Sequence, residues 1–183
     1  WRTARVFYWR LRAKTLQTDL FLGAIADELA TGGVILENST TYCQEHMAEA
    51  GVLTRHKPSA RAHADIEFGW DIAKRLGELD IGQAVIVREG DIIAVEAIEG
   101  TEQMIKRAGQ FCRRGGWTLI KTSKPKQDMR FDVPCVGAQT IRDMAEHGGK
   151  TLVVEAGKTI IIDKPEALAL ADKLGVVVVA CAS

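Results

Sequence analysis

Apolar positions along the chain switch between a spacing of three to four and short continuous runs, the pattern of helices packed on a sheet. Val6, Trp9, Arg10 and Ala13 fall at helical spacing and read as a helix over 3–14. Leu20, Phe21, Ala24, Ile25, Glu28 and Leu29 carry the same period from Thr18, and Gly32-Gly33 stops it, which predicts a helix over 18–31. Val34-Ile35-Leu36 then reads as a short buried strand and 42–50 as a further helix. A polar, proline-bearing stretch near Arg55 to Pro58 marks a boundary. Beyond it Ile66, Phe68, Ile72, Ala73 and Leu76 form the stripe of a long helix running from an N-cap at Ser59 to Leu79.

Strand signals dominate next. Val85-Ile86-Val87 and Ile92 to Ile98 flank Arg88-Glu89-Gly90-Asp91 and predict an antiparallel hairpin, with Glu96 and Glu99 projecting from the face opposite its buried one. A helix follows from a Thr101 cap to Arg113, then a strand over Trp117 to Lys121. Gln139 to His147 reads as a helix, TLVVEA and KTIIID as strands joined at Gly157, and Lys164 to Leu174 as a helix with Pro165 near its first position. The β-branched run VVVVAC closes the chain as a central strand buried on both faces.

One segment has neither period. Lys121 to Pro134, KTSKPKQDMRFDVP, lies between apolar elements and is polar enough to be a site loop rather than a connector. Pro125 and Pro134 favour an extended or irregular path, on which Asp128 and Asp132, four apart, share one side. Two carboxylates so placed suit Mg²⁺, which takes few protein oxygens and shares the rest with water and phosphate. The competing reading has one acid capping a turn and the other paired with Arg130. Lys121, Lys124, Lys126 and Arg130 offer donors to phosphate oxygens, against the alternative of a solvated charged loop. Glu96, Glu99, Thr101 and Glu102 cluster where a hairpin strand meets a helix start, where open backbone N–H groups attract an anion and the acids suit a metal shell; Glu99 and Thr101 read as functional and Glu102 as a partner of the helix dipole.

Composition narrows the field. With 183 residues, 46% of them hydrophobic, the chain is expected to bury a real core. Its 24 basic and 24 acidic residues cancel and give no broad electrostatic reason to expect nucleic acid, so any anion site is local. Cys43, Cys112, Cys135 and Cys181 show no CxxC spacing and read as reduced, with Cys135 a buried thiol rather than a nucleophile. His46, His56, His63 and His147 form no ligand pair, and no GxSxG, Walker loop or GxGxxG occurs. No signal peptide or membrane-length apolar run appears, so a cytoplasmic location is expected. The opening WRTARVFYWRLRA, without an initiator Met, reads as the middle of a longer protein.

The ordered series GVLTRHKPS, DIEFGWDIAKRLGELDIGQAVIVREGDIIAVEAIEGTE, KTSKPKQDMRFDVPCVGAQTI and VVEAGKTIIIDKPEALALADKLGVVVV resembles the LpxI-type UDP-2,3-diacylglucosamine pyrophosphatases, densely from Gly51 onward. The resemblance implies hydrolysis of UDP-2,3-diacylglucosamine to lipid X (2,3-diacylglucosamine 1-phosphate) and UMP in lipid A biosynthesis, assisted by Mg²⁺. It implies an α/β fold: a C-terminal catalytic domain with a mixed sheet over 56–183, preceded over 1–55 by the remnant of a Rossmann-like N-terminal domain and its linker. The family's QDxRxDxP motif is Gln127 to Pro134 here and carries the essential aspartate, placed at Asp128 first and Asp132 second. Its EGTD stretch falls on Glu99, Gly100, Thr101 and Glu102, where Glu102 departs from the usual Asp. The expected roles are then catalysis by Asp128 and Asp132, metal binding by Asp128, Asp132 and Glu99, and substrate binding by Lys121, Lys124, Gln127, Arg130 and Thr101. UDP-2,3-diacylglucosamine and lipid X are the expected ligands, with peripheral contact at the inner membrane and a homodimer as further expectations. The rival expectation is a non-catalytic module, binding a nucleotide sugar or phospholipid, in a chain that lacks most of the N-terminal domain.

Overall fold

The computed structural model describes residues 18–125 and 127–182; the helix expected over 3–14 and Lys126 lie outside them. The chain forms two compact units, one made of the residues up to Gln44 with Gln127–Val133, the other of Glu45–Lys126 with Pro134–Ser183.

In the smaller unit the expected amphipathic helix is present as α1 (Thr18–Ala30). The strand expected at Val34-Ile35-Leu36 is not. Val34 and Ile35 are 55% and 78% exposed, and no described strand pairs with them. An apolar triplet makes a strand only where a neighbour takes up its backbone groups. The polar residues that follow turn the chain instead, with Asn38 Oδ1 accepting from both the N–H and the hydroxyl of Thr40.

The larger unit is built on a mixed sheet of six strands in the order β1-β8-β6-β4-β2-β3. These are β1 (Gly51–Val52), β2 (Ala84–Arg88), β3 (Asp91–Val95), β4 (Trp117–Lys121), β6 (Gly149–Glu155) and β8 (Val177–Cys181). The strands β4, β6 and β8 run parallel, while β2 and β3 form the expected antiparallel hairpin on one side and β1 closes the other. Two further short strands, β5 (Cys135–Val136) and β7 (Ile160–Ile161), pair with each other apart from the main sheet. TLVVEA and KTIIID therefore serve different sheets. VVVVAC lies one strand in from the edge rather than at the centre, and is nonetheless buried over Val177 to Ala180.

Alternation along the strands explains the layers. Ile86, Leu119, Leu152 and Val178 point to one face, where they pack with Met104 and Ile105 of α3 (Gly100–Phe111), Ile141 and Met144 of α4 (Ala138–Glu146), and Ala167 and Ala171 of α5 (Lys164–Leu174). Val85, Val87, Ile120 and Val153 point to the other, against α2 (Ala60–Glu78), whose N-terminus is capped by Ser59 as its sequence predicts. The helix expected over 42–50 shrinks to one 3-10 turn, Gln44–His46. Tertiary pairing overrides propensity there: Met47 bridges Ile160, and the backbone of Ala48 exchanges hydrogen bonds with Thr159 and Gly157. No helix among the described residues is long and apolar enough to cross a membrane.

Candidate functional site

The carboxyl ends of the parallel strands lie side by side, Lys121 opposite Val154 and Glu155 opposite Cys181. Such ends are where ligands gather in α/β sheets. From one of them, β4, the chain enters the polar segment that begins at Lys121.

Lys121 is only 8% exposed. Its ammonium donates to Thr101 Oγ1 at 3.1 Å and to the carbonyl of Cys135 at 3.2 Å. The Thr101 hydroxyl in turn donates to Glu96 Oε1, and Glu96 Oε2 accepts from the backbone N–H of Gln83. Lys121 and the neighbouring pair Glu96 and Thr101, some twenty residues before it, thus form one partly buried polar chain across β4, α3 and the end of the hairpin. Two expectations change here. Thr101 does not cap α3, whose N-cap is Glu99 without a side-chain cap bond, because its hydroxyl is taken by Glu96. Glu96, expected to project outward, is 6% exposed. Its pairing with a backbone N–H and a hydroxyl is what makes that burial affordable. Period-two alternation past the end of β3 at Val95 misplaced it.

Glu99 stands apart from this chain. Its Oε1 lies 2.7 Å from Arg107 Nη2, an ion pair off the line needed for a hydrogen bond. Glu102 faces solvent, and its hydrogen bond to Lys106 holds its carboxyl below the usual range. Lys124 meets Asp80 at 2.6 Å. Cys135, expected buried, is exposed, since the alternation of β5 turns Val136 inward instead.

The acids of the QDMRFDVP segment belong to the smaller unit. The path from Asp128 to Asp132 is a closed turn rather than an extended one: the N–H groups of Phe131 and Asp132 both donate to the Asp128 carbonyl. Ser39 secures the turn by donating its N–H and hydroxyl to the Met129 carbonyl. Arg130 grips Asp128 with Nε at 2.9 Å from Oδ1 and Nη2 at 2.7 Å from Oδ2, while its backbone N–H reaches Oδ1 at 3.1 Å. One acid therefore both closes the turn and pairs with Arg130, two jobs that the competing sequence reading divided between two. The Arg130 fork holds the Asp128 carboxyl below the usual carboxylate range, against the opposing effect of partial burial. Asp132 Oδ2 accepts from Gln127 Nε2 at 2.7 Å, and its Oδ1 carries no hydrogen bond among the described residues.

Among the described residues no three His, Cys, Asp or Glu side chains converge as a ready metal cage. Mg²⁺ does not require one, since it is commonly held by one or two carboxylates with substrate phosphates completing its shell. The open oxygen of Asp132 fits that demand, while both oxygens of Asp128 are taken by Arg130.

Residues 49–179 match the family model described as the LpxI C-terminal domain. Over 168 residues the chain is 36% identical to the UDP-2,3-diacylglucosamine pyrophosphatase LpxI of Caulobacter vibrioides. That alignment covers 87% of this chain and 60% of the length of its relative.

Proposed function

Since the chain belongs to the LpxI family, we propose that it serves lipid A biosynthesis by hydrolysing the pyrophosphate of UDP-2,3-diacylglucosamine to lipid X and UMP. The observation that carries this reading is the span of the family match, which takes in β4, the whole polar segment and both of its acids. Residues 18–44 are proposed to belong to a Rossmann-like domain, and the cytoplasm is proposed as the place of reaction.

Roles follow from the hydrogen bonds. Asp128, held ionised by Arg130, is a poor proton acceptor near neutral pH and suits charge placement instead. Asp132, with one oxygen steadied by Gln127 and the other open, is the acid proposed to orient the attacking water and take its proton. Asp132 and Asp128 are also the residues proposed to hold Mg²⁺, with Glu99 a lesser candidate because Arg107 already pairs it. When bound, the metal neutralises the pyrophosphate and polarises the phosphoryl oxygen. Lys121, fixed by Thr101, offers its ammonium to a phosphate oxygen. Arg130 is proposed for the same task through the guanidinium N–H groups that its Asp128 fork leaves over.

UMP release by the wild-type chain, compared with binding of UDP-2,3-diacylglucosamine, tests the reading. Turnover supports the hydrolase. Binding with no release would replace it with a non-catalytic module for nucleotide sugars.

A further inference from the structure

Glu155, the last residue of β6, is fully buried, and none of the roles above uses it. Its Oε2 accepts two hydrogen bonds from a single residue, the backbone N–H and the hydroxyl of Ser123, both at 2.8 Å. Its Oε1 meets Lys74 Nζ of α2 at 2.6 Å and Lys158 Nζ at 2.9 Å. A buried carboxylate held by two lysines is not the most stable way to fill a core, since apolar residues of similar volume commonly do as well or better. Its use at this point calls for a second purpose.

That purpose is set by where Ser123 stands. It is the second residue beyond β4, at the root of the polar segment, and Lys124 follows it. Lys124 is itself seated against α2, its Cα 3.4 Å from where a Cβ on Gly77 would lie. One carboxylate therefore ties together the end of β6, the C-terminal part of α2 and the exit from β4. We propose that Glu155 is a positioning residue for the hydrolysis: by holding both donors of Ser123 it fixes the direction in which the chain leaves β4 and steadies Lys121, two residues before, for its phosphate oxygen. Lys74 and Lys158 hold its other oxygen and fix its rotation. The inference rests on the hydrolase reading for its effect on rate, and on geometry alone for the tie between Glu155 and Ser123.

The test compares the full chain as wild type, E155A, E155Q and S123A, by UMP release and by amide hydrogen exchange. Glutamine keeps an oxygen that can accept both Ser123 bonds, and alanine keeps none. We expect kcat to fall about 100-fold in E155A, to stay within about tenfold of wild type in E155Q, and to lie between in S123A, with KM changing less than kcat. The Ser123 amide should exchange faster in E155A. Equal losses in E155A and E155Q with Ser123 still protected would overturn the proposal, because charge and not the tie would then matter. Should E155A fail to fold, S123A decides: a lowered kcat at an unchanged melting temperature upholds the proposal, and an unchanged kcat overturns it. A wild-type chain that releases no UMP defeats the hydrolase reading and leaves the tie to the exchange data, where a Ser123 amide equally protected in wild type and E155A would defeat that too.

Discussion

Arg130 closes on Asp128, two residues before it, with Nε and Nη2 on separate carboxylate oxygens at 2.9 and 2.7 Å. A fork of this kind stabilises the ionised acid, so the folded protein binds the Asp128 proton less readily than the unfolded chain does. The sign follows. The stability it contributes is present above the unfolded value of about 3.9 and is lost as pH falls through the lower folded value. The R130Q variant should bring the Asp128 titration, read by carboxyl carbon NMR, upward toward its ordinary range. An unmoved titration would mean that the fork is not what holds the acid ionised.

Asp128 itself is predicted to be indispensable. D128A should lower UMP release by about 100- to 1000-fold, the scale of losing one charge-stabilising group, and D128N should fall nearly as far because it keeps shape without charge. Circular dichroism of both should match wild type. A D128N enzyme near full activity would remove the charge from the mechanism.

The buried chain from Lys121 through Thr101 to Glu96 makes a separate prediction. T101V keeps the volume and removes the hydroxyl that donates to Glu96 and accepts from Lys121. Leaving both charges short of a partner should cost about 1–3 kcal/mol in urea unfolding, and KM should rise as Lys121 loses its fixed position. T101S should recover most of both. Equal defects in T101V and T101S would assign the effect to packing.

Two glycines are predicted to behave differently. An alanine Cβ at Gly82 would fall 2.1 Å from the Glu96 carbonyl oxygen, so G82A must move backbone and should cost about 3 kcal/mol or more. Gly90, in the hairpin turn at φ +78, has nothing within 4 Å of its would-be Cβ. G90A should cost only about 1 kcal/mol, from backbone strain alone. Thermal unfolding of the two variants checks the order, and a larger loss in G90A would contradict it.

Elements whose local pattern agreed with their tertiary role were legible in the sequence. Trp117 to Lys121 is buried at every position and needed no alternation to be recognised, and Lys164 to Leu174 carried its own start signal in Pro165. The hairpin announced itself through Gly90. Where a long-range partner decides the outcome, local pattern misleads: Val34 and Ile35 look like a strand and have no strand to join among the described residues, and Met47 and Ala48 look helical but are held by Thr159 and Ile160. The same holds for the site. Asp128, Asp132 and Arg130 could be read as candidates because they sit within one short motif. The burial of Glu96 and the tie made by Glu155 could not be read, since an acid within a strand-like run looks like a surface residue until the hydroxyls of Thr101 and Ser123 are seen to meet it. The one hint in the sequence is that VVEA places a charge at the end of an otherwise apolar strand.

The hydrolase reading is tested most directly by product analysis of the wild-type chain with UDP-2,3-diacylglucosamine in the presence of Mg²⁺ and again with excess EDTA. UMP and 2,3-diacylglucosamine 1-phosphate are predicted to appear in equal amounts with Mg²⁺, to vanish with EDTA and to return when Mg²⁺ is restored. Intact substrate under all three conditions, or release that EDTA leaves unchanged, would contradict metal-assisted cleavage of the pyrophosphate by this chain.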